Sequence, residues 1–283
     1  MSTRTVEHLD DIGALATRYD VFLLDQFGVL HDGTSPYPGA VEALSALKRA
    51  GKTVVLISNS GKRAEPNERR LLKLGFEAGS WDHFVSSGEV AWRSFHDMVA
   101  HGSLRLGTKC LLISRDDDRS AIEGLPFELA KSGDDAELVL ISASEGDRYD
   151  LDHYRGLLAL AASRRVPCFC TNPDKIMLTA VGPRFGAGRL ADLYESLGGS
   201  VTRIGKPYLP IFTAALALAG DPDRGTVVCV GDSVEHDIAG GLGAGVATAL
   251  VLSGILADTA DLAGLFDGLG AYPDYTVDLF RFG

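Results

Sequence analysis

The chain has 283 residues, is 46% hydrophobic and carries a formal net charge of −11. This length and apolar content allow one large or two smaller domains, each with a buried core. The acidic balance argues against nucleic acid or an anionic membrane as the main partner. It does not exclude a small anionic substrate, because a site can be locally positive on a negative protein.

The sequence shows neither a membrane span nor a secretory leader. No apolar stretch reaches the roughly 20 residues that span a bilayer, and the polar first residues lack the pattern of a signal peptide. The four cysteines lie in or beside apolar runs and indicate buried, reduced thiols rather than a disulfide framework. These features predict a cytoplasmic protein.

Short apolar runs alternate with helix-like segments along the chain. Seven runs, rich in Val, Ile and Leu, are typical of strands buried on both faces of a parallel sheet. They are Val21–Asp25, Thr53–Ser58, Cys110–Ser114, Leu138–Ser142, Val166–Cys170, Thr226–Gly231 and Val246–Leu252. Helical periodicity appears between them at Gly39–Ala50, Leu151–Arg164 and Leu209–Ala219. The alternation predicts an α/β fold with a doubly wound parallel sheet.

Polar residues close three of the predicted strands. The first strand ends in Asp25, the second leads into Ser58 and Asn59, and a later one leads into Asp232. Ligands of open parallel sheets bind at the carboxyl ends of the strands, so we expect these residues to share a site. Carboxylates there form a hard oxygen site that suits Mg²⁺, and Asp237, in the following turn, is placed to join it.

Other residue types at this edge suit phosphate chemistry. The carboxylate of Asp25 can attack phosphorus, and the hydroxyl of Ser58 and the amide of Asn59 can hold phosphate oxygens. Lys206, in a Gly-Lys-Pro segment before the last predicted helix, supplies a balancing cation. A lone lysine is more often a solvated surface residue, so this assignment depends on the other parts of the site.

These segments resemble, in order, the four motifs of the haloacid dehalogenase superfamily. The motifs are Asp25–Leu30 (DQFGVL), Ser58-Asn59, Lys206 in GKP, and Gly231–Asp237 (GDSVEHD). A finer resemblance, carried by Cys170–Asp174 and the glycine-rich Gly182–Gly188, is to the subclass of nucleotide, p-nitrophenyl phosphate and pyridoxal phosphate phosphatases. In that subclass an α/β cap is inserted between the second and third motifs. The resemblance implies a Rossmann-like core at residues 1–87 and 185–283 and a cap domain at residues 88–184.

The resemblance also implies a nucleophile and a metal site. Asp25 would attack phosphorus and form an aspartyl-phosphate. Mg²⁺ would be held by Asp25, Asp232 and the backbone carbonyl of Phe27, with help from Asp237. Electrostatic stabilisation of the phosphoryl charge and in-line positioning would supply the catalysis.

The same resemblance implies a binding site for a small phosphorylated metabolite. Ser58 and Asn59 would bind phosphoryl oxygens, and Lys206 would neutralise the nucleophile and the transferring group. Phe27 would lie beside the substrate, and Asp174, where the chain returns from the cap, is a candidate for substrate contact. Caps of this type often dimerise, so a homodimer is one expected assembly.

The first motif departs from the family pattern at Phe27. Family phosphatases usually carry an Asp there, which protonates the leaving group and later activates water. General acid–base catalysis contributes on the order of 10²–10⁴-fold in rate, and Phe cannot supply it. One hypothesis is a Mg²⁺-dependent phosphatase that uses another group, such as His31 or Asp32, or a substrate with an acidic leaving group.

Two other hypotheses remain open. The chain is a phosphate-ester binding protein that has lost most turnover, or it hydrolyses carbon–halogen bonds, since dehalogenases also lack that Asp. Dehalogenases do not use Mg²⁺, and the metal carboxylates look intact here, so the third hypothesis is the weakest.

Overall fold

The computed structural model describes residues 6–179, 182–257, 259 and 261–283. The chain forms two compact units. The first contains the residues up to Ser58, Glu68–Val85 and Lys206–Gly283, and the second contains Asn59–Asn67 and Ser86–Gly205. Among the described residues, no helix combines the length and the apolar character that a membrane crossing requires.

The strands are numbered along the chain. They are β1 (Glu7–Leu9), β2 (Val21–Leu24), β3 (Thr53–Ser58), β4 (His83–Ser86), β5 (Thr108–Ile113), β6 (Phe127–Leu129), β7 (Leu138–Ile141), β8 (Cys168–Cys170), β9 (Ile176–Thr179), β10 (Gly182–Phe185), β11 (Val201–Arg203), β12 (Val227–Gly231), β13 (Ala247–Val251) and β14 (Tyr275–Val277). Each of the seven predicted runs overlaps one of these strands, and the other strands were not predicted.

The helices are numbered in the same way. They are α1 (Gly13–Arg18), α2 (Ala40–Arg49), α3 (Ala64–Lys73), α4 (Ser87–Ala100), α5 (Leu151–Ser163), α6 (Ala187–Ser196), α7 (Leu209–Leu218), α8 (Ala239–Gly243) and α9 (Leu262–Leu269). Short 3₁₀ turns lie at Arg224–Thr226 and Gly254–Leu256, and a π-helical turn lies at Val234–Ile238. The three predicted helices correspond to α2, α5 and α7.

A seven-stranded sheet in the order β1-β14-β13-β12-β2-β3-β4 forms the first unit. From β1 through to β3, each neighbouring pair is parallel. Strands β2 and β12 are buried along their whole length, as a sheet covered on both faces requires. The predicted α/β fold with a parallel sheet is therefore confirmed.

The second unit has its own sheet and core. Its five strands, in the order β11-β8-β7-β5-β6, are all parallel, and β9 and β10 form a separate antiparallel pair. Side chains of α5 and α6 pack with β5, β7 and β8 in one apolar cluster. Within it the hydroxyl of Tyr194 donates to the carbonyl of Val166 at 2.6 Å, so the buried polar group is satisfied.

The bounds of the second unit differ from the cap predicted at residues 88–184. Residues 185–205, which the sequence analysis assigned to the core, belong to the second unit. The glycine-rich segment that suggested a domain boundary has another cause. A Cβ at Gly186 or Gly188 would lie 2.1 or 2.0 Å from the carbonyl oxygens of Asp174 and Pro173. These two glycines allow the start of α6 to pack closely against backbone of the same unit. The chain leaves the second unit after Gly205.

The core of the second unit offers a matched pair of leucines on α5. Leu158 is fully buried in the apolar cluster, whereas Leu160 is 52% exposed. We expect Leu158→Ala to lower the free energy of unfolding of this unit by about 2–5 kcal/mol, because it leaves a cavity. Leu160→Ala should change it by roughly 0.5 kcal/mol or less. Chemical denaturation followed by circular dichroism measures both, and equal losses would contradict the assigned core.

Candidate active site

Asp25 stands at the carboxyl end of a central strand of the first unit. It follows β2 directly, and its backbone N–H donates to the carbonyl of Val230 in β12 at 2.9 Å. The side chain is 11% exposed, so its carboxylate is largely removed from water. The sheet thus fixes the backbone of Asp25 between its neighbours, as the strand-end argument predicted.

Two further carboxylates meet Asp25. Asp232 follows β12, and Asp237 lies in the π-helical turn Val234–Ile238. One oxygen from each of the three carboxylates lies within 4.8 Å of the others, and all three residues are buried. The backbone N–H of Ser233 donates to Oδ2 of Asp237 at 3.1 Å and orients that group. The predicted convergence of Asp25, Asp232 and Asp237 is therefore present in the structure.

Two glycines close around the side chain of Asp232. Gly28 and Gly254 have φ values of 87° and 70°, and a Cβ on them would lie 1.9 and 2.1 Å from Oδ2 of Asp232. Any larger residue would therefore meet the carboxylate as well as backbone strain. The N–H of Ile255 donates to the same oxygen at 3.0 Å, and the hydroxyl of Ser253 donates to the carbonyl of Gly28 at 2.8 Å. Two loops thus hold Asp232 in one position.

Lys206 is the cation of this cluster. Its Nζ donates to Oδ1 of Asp25 and to Oδ1 of Asp237, each at 2.7 Å, and its side chain is 4% exposed. Burial alone lowers the pKa of Lys206, but Asp237 and Asp25 outweigh it, so the pKa is raised. The ammonium group is therefore charged at neutral pH, and α7 begins three residues later, as predicted.

The charges within the cluster do not balance. Three carboxylates lie beside one ammonium group. Burial raises the pKa of both Asp25 and Asp232, because one positive charge does not offset the effect of burial. A divalent cation would supply the missing charge, and carboxylate oxygens are the donors that Mg²⁺ and Ca²⁺ prefer. The residues present therefore fit a hard divalent metal ion.

Ser58, the last residue of β3, is linked to the loop that follows Asp25. Nε2 of Gln26 donates to Oγ of Ser58 at 2.8 Å, and both residues are buried. Oε1 of Gln26 faces Nε2 of His31 at 3.5 Å, and the N–H of Gly33 donates to Nδ1 of His31 at 2.9 Å. Sequence reasoning missed Gln26, because its hydrogen bond to Ser58 joins two separate segments of the chain.

Phe27 lies over the buried histidine. The rings of Phe27 and His31 are nearly perpendicular with centroids 5.6 Å apart, and Phe27 is 42% exposed while His31 is fully buried. Burial, with Arg70, lowers the pKa of His31 to about 4, so its imidazole is neutral at pH 7. His31 therefore offers no acidic proton beside Phe27.

Asp32, the other candidate acid, is part of a turn. Its Oδ1 accepts hydrogen bonds from the backbone N–H groups of Thr34 and Ser35, each at 2.8 Å. The Thr34 and Ser35 N–H groups hold the pKa of Asp32 down at about 2. Asp32 therefore caps a polar turn.

Asn59 and Asp174, both expected to contact substrate, lie in the second unit. Nδ2 of Asn59 donates to Oδ1 of Asp174 at 2.7 Å, and the N–H of Asp174 donates to Oδ1 of Asn172 at 3.0 Å. A Cβ on Gly205 would lie 2.6 Å from Oδ1 of Asn59, so this glycine also allows a close approach. The structure thus brings these two predicted residues together.

Comparisons with known proteins identify relatives of this chain. A model of haloacid dehalogenase-like hydrolases matches residues 22–128, and a model of HAD-hydrolase-like proteins matches residues 203–280. Chronophin from Mus musculus is 29% identical over 240 residues, which cover 82% of this chain and 80% of chronophin.

Two crystal structures are similar over nearly the whole chain. A haloacid dehalogenase-like family hydrolase from Brucella suis 1330 has a TM-score of 0.81 at 25% identity, covering 96% of this chain and 99% of that one. A p-nitrophenyl phosphatase from Archaeoglobus fulgidus has a TM-score of 0.74 at 26% identity, covering 93% and 97%.

The buried ion pairs of Lys206 lead to a stability prediction. Lys206→Met leaves Asp25 and Asp237 buried without their cation, so we expect the metal-free protein to lose about 3–5 kcal/mol of unfolding free energy. Lys52→Met is the control, because Lys52 pairs at 2.9 Å with Asp20, whose side chain is 74% exposed. That surface pair should contribute about 1 kcal/mol or less. Urea denaturation in EDTA measures both, and similar losses would contradict the role of Lys206.

Proposed function

The chain belongs to the haloacid dehalogenase-like hydrolases, and on that premise we propose that it is a Mg²⁺-dependent phosphatase with Asp25 as nucleophile. The observation that carries the proposal is the buried cluster in which Asp25 lies beside two further carboxylates and bonds to Lys206 at 2.7 Å. Two more facts support it: the residues fit a hard divalent cation, and a relative of the same fold is a p-nitrophenyl phosphatase.

In the proposed reaction a carboxylate oxygen of Asp25 attacks phosphorus. The P–O bond to the leaving group breaks, an aspartyl-phosphate forms, and water then hydrolyses it to release phosphate. Lys206 binds Oδ1 of Asp25, which limits rotation of the carboxylate and places a positive charge beside the transferring group. The hydroxyl of Ser58 binds a phosphoryl oxygen.

Asp25, Asp232 and the backbone carbonyl of Phe27 are the proposed ligands of Mg²⁺, and Asp237 helps to hold it. When bound, the ion supplies charge neutralisation for the phosphoryl oxygens. The close packing of Gly28 and Gly254 against Asp232 supports this assignment, because it fixes a carboxylate that would otherwise turn away. Asn59 and Asp174 stay proposed substrate-binding residues of the second unit.

Phe27 leads to a proposal about the class of substrate. The two neighbouring candidates for an acid are a buried neutral imidazole at His31 and a turn carboxylate at Asp32. A leaving group that needs no protonation, such as a phenolate or a carboxylate, suits such a site. We therefore propose aryl or acyl phosphates rather than alkyl phosphates as the substrates that react fastest.

The binding-protein hypothesis is the second candidate, and Phe27 is the observation that favours it. The carbon–halogen hypothesis is disfavoured, because three buried carboxylates that fit a divalent cation have no evident use in that reaction.

The first test is phosphate release from p-nitrophenyl phosphate and acetyl phosphate. We expect release with Mg²⁺, none in EDTA, and a loss of at least about 10³-fold in Asp25→Asn, because the amide is not a nucleophile. Asp20→Asn is the matched control: Asp20 precedes β2 and is exposed, so activity should stay unchanged. Activity that survives in Asp25→Asn would exclude the proposed nucleophile. No release from wild type, with phosphate still bound, would favour the binding protein.

The proposed substrate class predicts a strong dependence of rate on the leaving group. Across a series of aryl and alkyl phosphates, kcat/KM should fall steeply as the pKa of the leaving alcohol rises. Phe27→Asp should raise kcat/KM for alkyl phosphates by about 10²-fold and change that for acetyl phosphate far less. Phe27→Leu removes the ring without adding an acid and is the control. It should leave the dependence of kcat/KM on the pKa of the leaving alcohol as steep as in wild type. A flat series in wild type would mean that another group protonates the leaving oxygen.

A further inference from the structure

A buried row of polar groups runs from a backbone amide to Ser58. The N–H of Gly33 donates to Nδ1 of His31 at 2.9 Å, Nε2 of His31 faces Oε1 of Gln26 at 3.5 Å, and Nε2 of Gln26 donates to Oγ of Ser58 at 2.8 Å. His31, Gln26 and Ser58 are 0%, 3% and 6% exposed. Of these three residues the proposed reaction uses only Ser58, so the burial of Gln26 and His31 beside it needs another explanation.

The backbone amide of Gly33 fixes the direction of each hydrogen bond. Because this N–H donates to Nδ1, a neutral His31 carries its proton on Nε2 and donates it towards Gln26. The group of Gln26 that faces His31 must then be the oxygen, since a flipped amide would set two donors against each other. The amide nitrogen of Gln26 is left to donate to Ser58, so the hydroxyl hydrogen of Ser58 points away from Gln26.

We propose that Gln26 and His31 are positioning residues that make the hydroxyl of Ser58 a hydrogen-bond donor to the phosphoryl group. The proposal rests on the proposed function, in which Ser58 binds a phosphoryl oxygen. A serine hydroxyl can rotate and can either donate or accept. Because the oxygen of Ser58 already accepts a hydrogen bond from Gln26, the hydroxyl proton is directed to another partner before the anion arrives. This preorganisation removes a rotational cost from binding.

The backbone of the first motif holds this row in place. The N–H groups of Leu30 and His31 donate to the carbonyl of Gln26 at 2.9 and 3.2 Å, and the N–H of Gly28 donates to the carbonyl of His31 at 2.9 Å. The ring of Phe27 covers the imidazole of His31. The residue that replaces the expected acid thus places an apolar ring beside the row, where water would otherwise compete for its hydrogen bonds.

The test is a double-mutant cycle on the affinity for inorganic phosphate. The inhibition constant of phosphate against p-nitrophenyl phosphate is measured with Mg²⁺ for wild type, Ser58→Ala, Gln26→Glu and the double variant. Gln26→Glu keeps the shape of the side chain but replaces its donor by an acceptor, which turns the hydroxyl hydrogen of Ser58 towards residue 26. We expect each single variant to weaken phosphate binding by roughly tenfold.

The double variant decides between two explanations. If Gln26 acts through Ser58, the double variant binds phosphate as well as the single variant that has the lower affinity. If the new charge merely repels phosphate, the losses of affinity in the two single variants multiply in the double variant, and the proposal is overturned. Gln26→Met, which has no charge and no hydrogen-bonding group, should weaken binding in wild type and have no effect in the Ser58→Ala background.

Two further results separate this proposal from the proposed function. If Ser58→Ala leaves phosphate affinity unchanged, the assigned role of Ser58 fails, and the positioning role of Gln26 fails with it. If Ser58→Ala weakens binding but neither Gln26 variant does, the proposed function stands and this inference is wrong. The melting temperature of each variant is measured alongside, because a loss of affinity counts only for a variant that remains folded. His31→Phe, which keeps a ring but cannot donate to Gln26, is a further variant and should weaken phosphate binding in wild type but not in the Ser58→Ala background.

Discussion

The burial of charge at the carboxyl end of the sheet governs the geometry of the site. Asp25, Asp232 and Asp237 are buried within 4.8 Å of one another, and unpaired carboxylates so placed are costly. Lys206 bonds to two of them, and the N–H groups of Ser233 and Ile255 bond to Asp237 and Asp232. Lys206 and Ile255 come from other segments of the chain, so the contacts that compensate the charge also hold the site together.

The same constraint explains where glycine is required. A carboxylate can be held on several sides only if the surrounding backbone comes close, and Gly28 and Gly254 approach Asp232 at distances that exclude a Cβ. Gly231 does the same for Asp237, since a Cβ there would lie 2.0 Å from the carboxylate carbon. In the sequence these glycines look like ordinary turn residues. Their function is visible only once the atoms they face are known.

The sequence predicted the parts of the fold that depend on local patterns. Strands β2, β3, β7 and β12 are continuous apolar runs, because burial on both faces leaves no polar alternation. The short edge strand β1 and its partner β14 escaped prediction, since they pair across almost the whole chain. The predicted boundary at residue 184 differs from the end of the second unit at Gly205, because the sequence does not show which backbone a glycine packs against. Asp25 and Asp232 were predictable because strand ends converge, and Asp237 and Lys206 because their motifs follow in order. Gln26 was not, because nothing in the sequence pairs its amide with Ser58.

Phe27 connects the position of the serine hydroxyl to the choice of substrate. An aspartate two residues after Asp25 would bring a titratable, hydrated group next to His31 and Gln26, and water there would compete for their hydrogen bonds. With Phe27 in that place, the hydrogen-bonded row is buried and Gln26 donates to Ser58, which in the proposal fixes the orientation of its hydroxyl. The site then has no proton to offer the leaving group from this position. Tight, oriented binding of the phosphoryl group and a restriction to acidic leaving groups are, in this proposal, two consequences of one side chain.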